Sequence, residues 1–162
     1  MNYKKIIITL SVLFIAYFGY KYIKFHAPAI EFEYMSLTDL EGHPVSLDEF
    51  RGKNVFIDIW GTWCIDCIKS MPSVNLMQKK LDPSKWVVLG LNNDELQKTK
   101  AFIERHELEF NCWHMNKRYD EYGIRSIPCY YILGPNGNLL YKTTDQRDWA
   151  SEESLKLLRK FE

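Results

Sequence analysis

The sequence predicts an α/β domain with a mixed central sheet flanked by helices, preceded by one N-terminal transmembrane helix. Three observations lead to this fold class. Short apolar segments typical of buried strands alternate with helical segments, which is the order of elements in an α/β layered domain. A turn over 134–137, rich in Gly and Pro, joins two strand-like segments and closes the sheet with a hairpin. An uncharged apolar run over 6–20 opens the chain.

The composition fits one folded domain with an appendage and excludes several classes of protein. The chain has 162 residues, of which 46% are hydrophobic and 26% are charged, and both fractions are ordinary for a folded chain. The formal net charge is zero, so nothing global indicates a nucleic-acid partner, and we expect none. Four cysteines are too few and too widely spaced for a small domain held together by disulfides.

The N-terminal segment is predicted to be a retained signal anchor. Lys4 and Lys5 precede the apolar run, which continues to Ile23 and so reaches the lower limit for crossing a bilayer. A cleaved signal peptide is the alternative, because Ala27-Pro28-Ala29 has the small-x-small pattern of a cleavage site. The positive-inside rule keeps the two lysines in the cytoplasm. We therefore expect a single-pass protein of the cell membrane with its domain on the extracytoplasmic, periplasmic side.

The predicted boundaries are an anchor at 1–24, a linker at 25–31 and a globular domain at 32–162. The domain is predicted to begin with a β-hairpin. Alternating residues over 31–37 and a short returning strand over 45–47 flank a turn over 40–44 that contains Gly42 and Pro44. Residues 55–60 form a strand that is apolar except for Asp58, as expected when both faces are buried. A helix follows over 65–81, with Pro72 inside it.

The second half of the domain continues the alternation of strands and helices. Its helices carry start signals, since Asn93 or Asp94 precedes one of them and Ser151 precedes the last. The predicted elements are a strand at 86–91, a helix up to about 107, an inserted strand at 110–115, a helical turn at 118–122, strands at 129–133 and 138–142, and a C-terminal helix.

One motif carries chemistry, and it lies between the buried strand at 55–60 and the helix that follows. Cys64 of the run Trp63-Cys64-Ile65-Asp66-Cys67 would sit at the helix N-terminus, where unpaired N–H groups and the helix dipole stabilise a thiolate. The thiolate is the nucleophile of thiol–disulfide exchange. Cys67 falls on the same helical face and can attack a mixed disulfide formed at Cys64. The spacing therefore predicts that Cys64 and Cys67 form a redox-active disulfide.

The chain resembles a known family at these residues. Segment 58–67, DIWGTWCIDC, is similar to the active-site segment of thioredoxin-like proteins, and Ser126-Ile127-Pro128 is similar to their cis-proline loop. The lead-in over 40–53 and the insertion between 91 and 118 resemble the ResA/TlpA subgroup of membrane-tethered, extracytoplasmic thiol-disulfide oxidoreductases. The resemblance implies a thioredoxin-like fold, a cis peptide bond before Pro128, and a cis-proline loop that faces the disulfide.

Further site residues follow from the resemblance and from local chemistry. An acid between two isoleucines is desolvated, which raises its pKa, so we assign Asp58 as the proton acceptor for Cys67; the alternative is a purely structural acid. By resemblance, Pro128 belongs to the catalytic site, and Trp63 and Ile127 contact the substrate. We predict no metal ligands. We also predict no cofactor, and the absence of a G-x-G-x-x-G motif gives no support for direct binding of a nicotinamide or a flavin.

Three residues depart from the subgroup or lie outside the motif. Ser70 stands where the ResA type usually has Glu, and Cys129 follows Pro128 where Thr is usual. Cys129 is either an inert buried thiol or a thiol that pairs off-pathway with the active disulfide. Cys112 lies on the inserted strand, which the family topology places at a sheet edge, too far from Cys129 for a disulfide.

The expected function is that of an extracytoplasmic thiol-disulfide oxidoreductase that reduces disulfides of exported proteins, for example in cytochrome c maturation. Its partners would be protein thiols and disulfides, and a membrane thiol carrier would supply the electrons. Two alternatives remain. A thioredoxin-fold copper chaperone would bind metal through Cys64, Cys67 and either Cys112 or His114. A peroxiredoxin-like thiol peroxidase would share the lead-in over 40–53.

Overall fold

One mixed sheet organises the domain that follows the N-terminal helix. The computed structural model describes residues 3–25 and 27–162. The strands are β1 (Leu37–Thr38), β2 (Pro44–Val45), β3 (Asn54–Ile59), β4 (Trp86–Asn92), β5 (Asn111–Met115), β6 (Cys129–Leu133) and β7 (Leu139–Thr143). The helices are α1 (Tyr3–Phe25), α2 (Ile65–Lys80), α3 (Leu96–Arg105) and α4 (Glu152–Leu158). Within 27–162 the strands form one seven-stranded sheet in the order β2-β1-β5-β4-β3-β6-β7.

Strand β3 lies inside the sheet and leads directly into the candidate site. It pairs in parallel with β4 and antiparallel with β6, and all of its residues are buried. Burial on both faces explains its nearly continuous apolar run. The predicted mixed sheet and the thioredoxin-like architecture are confirmed.

Two apolar cores lie on opposite faces of the sheet. The redox-side core contains both motif cysteines and packs α2 and α4 against the sheet; its members include Phe56, Trp60, Cys64, Cys67, Met71, Val74, Cys112, Tyr130, Trp149 and Leu155. The far-side core is covered by the segment that follows α1; its members include Ala27, Ile30, Phe32, Met35, Ile57, Ile59, Leu91, Cys129 and Tyr131. Alternate residues of one strand therefore belong to different cores.

The segment before β1 differs from the predicted hairpin strand. Residues Phe32–Tyr34 form a 3-10 turn, and only Leu37–Thr38 and Pro44–Val45 pair as a short hairpin. Phe32 and Met35 are buried, whereas Tyr34 between them is exposed. The two buried residues are three apart, which matches the three residues per turn of a 3-10 helix. The ring of Phe32 lies 5.1 Å from that of Tyr131, centroid to centroid, in an edge-to-face contact.

The helix after β4 also begins later than predicted. Its N-cap residue is Glu95, so the expectation that Asn93 or Asp94 caps it is wrong. The Asp94 carboxylate is used instead by the loop that carries the cysteine motif. The predicted Ser151 cap of the last helix is confirmed, because its hydroxyl accepts a hydrogen bond from the Ser154 N–H.

The N-terminal helix α1 is long and apolar enough to cross a membrane, judged by length and composition, over Tyr3–Lys21. None of that span is buried against the domain. The predicted anchor at 1–24 begins with Met1 and Asn2, and the predicted linker includes His26; these three residues lie outside the described part of the chain. Ala27 and Ile30, assigned by prediction to the linker, are buried in the far-side core.

Candidate active site

The two motif cysteines are joined at the point where β3 gives way to α2. Cys64 and Cys67 form a disulfide, and Cys64 is the N-cap residue of α2. The Cys67 backbone N–H donates to Cys64 Sγ over 3.2 Å. Cys67 is completely buried, whereas Cys64 retains 6% exposure. The sulfur that an incoming molecule can reach therefore belongs to Cys64, and it lies where the helix N–H groups favour a thiolate.

Asp58 is fully buried on β3, the strand that leads into the cysteine motif. Its neighbours across the sheet are Gly90 on β4 and Tyr130 on β6. Within the described residues, neither carboxylate oxygen has a hydrogen-bond partner. Desolvation of the charged form raises the pKa of Asp58 to about 8. A carboxyl with such a pKa can both accept and release a proton near neutral pH.

The loop between β3 and the disulfide is held by side chains from distant elements. Asp94 accepts the Thr62 N–H over 2.6 Å and the Trp63 indole N–H over 3.2 Å. The Tyr119 hydroxyl donates to the Trp60 carbonyl over 2.6 Å. The hydrogen bond to Asp94 orients the Trp63 indole, and Trp63 is 64% exposed beside the disulfide.

The segment before β6 reaches this same loop. The Ile127–Pro128 peptide bond is cis, as expected. A Cβ placed on Gly61 would lie 3.2 Å from Ile127 Cδ1 and 3.0 Å from Trp63 Nε1, so all three residues are packed together. Pro128 directly precedes Cys129, which pairs with Ile59 at the end of β3. The structure thus brings Trp63, Ile127 and Pro128 to the edge of the sheet where the cysteines lie.

The two remaining cysteines are free and buried. Cys129 belongs to the far-side core, where burial raises its pKa to about 12, and its thiol donates to the Ser126 carbonyl. Cys112 belongs to the redox-side core, where burial and the charge of Asp58 raise its pKa. The prediction that Cys112 lies on an edge strand is wrong, because the short β1 pairs with β5 and separates it from the sheet edge. The two cysteines lie on opposite faces, three strands apart.

Asp94 was missed as a site residue by sequence reasoning. Asp94 lies two residues after the end of β4, which runs parallel to β3, so it comes at the same sheet edge as the motif, and this was the available signal. Ser70 and Tyr130 were likewise not assigned to the site. The Ser70 hydroxyl donates to the Cys67 carbonyl, and the Tyr130 hydroxyl donates to Ser70 Oγ. The described residues hold no group of three or more His, Cys, Asp or Glu that could bind a metal ion.

Two cysteines that form a disulfide at a helix N-terminus can carry out thiol–disulfide exchange. This fold and this site together define a thioredoxin-like thiol-disulfide oxidoreductase. The sequence model of the AhpC/TSA family matches residues 24–142, and the chain belongs to that family.

Relatives named as thiol-disulfide oxidoreductases confirm the predicted enzyme class. The thiol-disulfide oxidoreductase ResA of Bacillus thuringiensis subsp. konkukian is 31% identical over 125 residues, which cover 74% of this chain and 72% of the relative. ResA of Halalkalibacterium halodurans is 29% identical over 128 residues, covering 76% and 72%.

Solved structures show the same fold. A thiol:disulfide interchange protein from a Bacteroides species has a TM-score of 0.66 at 25% identity, with 85% of this chain and 88% of that chain covered. The thioredoxin domain of a thiol-disulfide oxidoreductase from Bacteroides vulgatus has a TM-score of 0.67 at 21% identity, with 84% and 100% covered.

Proposed function

We propose that the protein is a membrane-anchored reductase of protein disulfides, with Cys64 as the attacking and Cys67 as the resolving cysteine. The observation that carries this proposal is the unequal exposure of the two cysteines. Cys64 retains 6% exposure at the helix N-terminus, and Cys67 is fully buried behind it. A protein disulfide can therefore meet Cys64 first, while Cys67 is kept for the intramolecular step.

In the first step, the Cys64 thiolate attacks one sulfur of the substrate disulfide. A mixed disulfide forms, and the other substrate sulfur leaves with the electron pair and takes a proton from solvent. The Cys67 N–H and the helix dipole stabilise the Cys64 thiolate before attack.

In the second step, Cys67 gives its proton to Asp58 and attacks the Cys64 sulfur. The bond between Cys64 and the substrate breaks, the second substrate thiol is released, and the Cys64–Cys67 disulfide forms. Two electrons have then passed from the protein to the substrate. Burial raises the pKa of Asp58 to about 8, so its ionised form is a stronger base than an ordinary carboxylate and can take up this proton. Because that form is the minor one at neutral pH, the second step should become faster as pH rises towards 8.

Substrate contact is assigned to the residues around Cys64. Trp63 and Ile65 are 64% and 69% exposed, which leaves an apolar surface beside the reactive sulfur. Ile127 is partly exposed and packs against the loop that carries the cysteine motif, so it extends this surface, and the buried Pro128 follows it. Exposed aromatic and apolar side chains favour contact with an extended or unfolded protein segment.

The cellular setting is part of the proposal. Helix α1 is the membrane anchor, within the predicted boundaries of 1–24 for the anchor, 25–31 for the linker and 32–162 for the domain. Lys4 and Lys5 favour a cytoplasmic N-terminus, which puts the domain on the extracytoplasmic side. A membrane thiol carrier then re-reduces the disulfide, and exported proteins such as apocytochrome c are the substrates.

The test is to trap the intermediate in the full chain, expressed in membranes. Cys67→Ser removes the resolving thiol, so a mixed disulfide between Cys64 and its substrate should accumulate and be released by dithiothreitol. The control is the double variant Cys64→Ser, Cys67→Ser, which should capture nothing. Absence of any reductant-sensitive complex with Cys67→Ser would contradict the exchange mechanism.

The direction of electron flow is tested by equilibrating the full chain in micelles with thiol redox buffers. A reductase should have a reduction potential near or below about −270 mV, whereas a disulfide donor would lie near about −120 mV. The second value would overturn the assignment as a reductase while leaving the exchange chemistry intact.

A further inference from the structure

We propose that Ser70 and Tyr130 are positioning residues that hold Cys67 in place for the resolving step. They form a hydrogen-bonded connection from β6 to the Cys67 carbonyl, and we refer to Ser70, Ser73, Tyr130 and Trp149 as the brace. This inference rests on the proposed roles of Cys64 and Cys67 and adds residues that act through Cys67.

The core of the brace is a pair of short hydrogen bonds. The Ser70 hydroxyl donates to the Cys67 carbonyl over 2.8 Å, and the Tyr130 hydroxyl donates to Ser70 Oγ over 2.8 Å. Ser70 is 6% exposed and Tyr130 is fully buried. Because both hydroxyls are buried, water cannot replace either partner when a hydrogen bond breaks. The two bonds therefore hold the Cys67 backbone in a fixed position relative to the sheet.

The backbone hydrogen bonds of α2 are interrupted close to the brace. Pro72 lies inside α2 and has no N–H to donate to the helical carbonyl four residues earlier. The Ser73 hydroxyl donates to the Ser70 carbonyl over 2.7 Å and accepts the Trp149 N–H over 3.2 Å. Side-chain hydrogen bonds thus connect the interrupted helix to β6 and to the segment that leads into α4.

The brace contacts one of the two reacting residues only. Its hydrogen bonds end on the Cys67 carbonyl, and none of them reaches Cys64. The first step is bimolecular and uses Cys64, whereas the second step is intramolecular and depends on where Cys67 is held. Holding a nucleophile near its target raises its effective concentration, so the brace accelerates the second step alone.

The assisted step exchanges one sulfur–sulfur bond for another. The Cys67 thiolate attacks the Cys64 sulfur, the sulfur–sulfur bond to the substrate breaks, and the substrate sulfur leaves with the electron pair. The proton of Cys67 goes to Asp58, and the departing thiolate takes one from solvent. The brace residues exchange neither protons nor electrons in this step.

The experiment follows both steps in the reduced full chain in detergent micelles. Protein is mixed with excess of a peptide disulfide and quenched with acid, and the mixed disulfide and the Cys64–Cys67 disulfide are quantified by mass. Losing one net hydrogen bond changes an equilibrium or rate by about five-fold, so Tyr130→Phe should slow resolution by about that factor. Ser70→Ala removes both bonds and should slow it further. The rate of first attack, measured in the Cys67→Ser background, should not change.

Tyr131→Phe is the matched control. Tyr131 is buried on the same strand, but it belongs to the far-side core, away from Cys67. It should resolve at the wild-type rate. Ser70→Ala leaves a buried tyrosine hydroxyl without its partner, so the double variant Ser70→Ala, Tyr130→Phe keeps the test valid if the single variant is unstable. The double variant should be stable and still resolve slowly.

Resolution at the wild-type rate in folded Tyr130→Phe and in the folded double variant would overturn the brace and leave the proposed function standing. Equal slowing in Tyr131→Phe, or equal slowing of the first attack, would also overturn it, because the effect would then be general. Failure of the wild-type protein itself to resolve the mixed disulfide would instead overturn the proposed function.

Discussion

Asp58→Asn replaces the buried carboxyl of β3 with a neutral amide of nearly the same size. The carboxyl is fully buried and, within the described part of the chain, without a hydrogen-bond partner. Its raised pKa therefore reflects the cost of placing a charge in the redox-side core. The same property that suits Asp58 to proton transfer should make the stability of the domain depend on pH.

The sign and size of this dependence follow from the pKa in the two states. Burial raises the pKa from its usual 3.8 to about 8 in the folded chain. Between these values the folded state keeps a proton that the unfolded state releases, so the free energy of unfolding falls as pH rises and levels off above the folded pKa. The slope is about 1.4 kcal/mol per pH unit, or about 3 kcal/mol between about pH 5 and about pH 7.

Urea unfolding of the oxidised full chain in nonionic micelles measures this effect. The disulfide prevents Cys64 and Cys67 from titrating, and all five tryptophans lie in the domain and report its unfolding by fluorescence. The stability of Asp58→Asn relative to wild type should rise by about 3 kcal/mol over that pH interval. Glu104→Gln, which removes an exposed acid, is the control for deleting one carboxyl.

Parallel stability curves for wild type and Asp58→Asn would refute the reasoning, because Asp58 would then have a similar pKa in the folded and unfolded chain. A matching kinetic result is expected. Asp58→Asn should slow resolution by Cys67 more than first attack by Cys64, since only Cys67 relies on the acceptor.

Three further predictions concern packing, the motif loop and the spare thiols. Gly90→Ala should lower the free energy of unfolding in urea by about 1–3 kcal/mol, because overpacking a dense core strains it. The new Cβ would lie 2.7 Å from the indole nitrogen of Trp60. An unchanged midpoint of urea unfolding would contradict this contact. Asp94→Ala removes two hydrogen bonds from the motif loop, so iodide should quench Trp63 more strongly, and equal quenching would show that the loop is held by other contacts. Cys112 and Cys129 should resist maleimide in the native oxidised chain and both react in urea, whereas native labelling of either would contradict their burial.

The features that sequence reasoning predicted well are set by local pattern. An apolar strand, a CxxC and a helix follow one another without a gap, so the position of Cys64 at a helix N-terminus needs no tertiary information. The cap at Ser151 is equally local, because its hydroxyl serves an N–H three residues later.

The features that it missed depend on contacts across the fold. Asp94 carries the signal of a helix cap, yet its carboxylate bonds to the motif loop some thirty residues earlier in the chain. Ser70 and Tyr130 are 60 residues apart, and neither carries a motif of its own. The segment before β1 alternates like a strand, but the far-side core requires Phe32 and Met35 on one side, and a 3-10 turn achieves this.

The junction between α1 and the domain has a consequence for how partners are found. Helix α1 ends at Phe25, and Ala27 is already buried in the far-side core, so two peptide steps of about 3.8 Å each separate the helix from the domain. With α1 in a bilayer, as proposed, the domain stays at the lipid surface. The short connection lets it move only a few ångströms away from that surface. Encounters with a membrane-embedded thiol donor then become collisions in two dimensions, while a freely diffusing substrate must first arrive at the membrane.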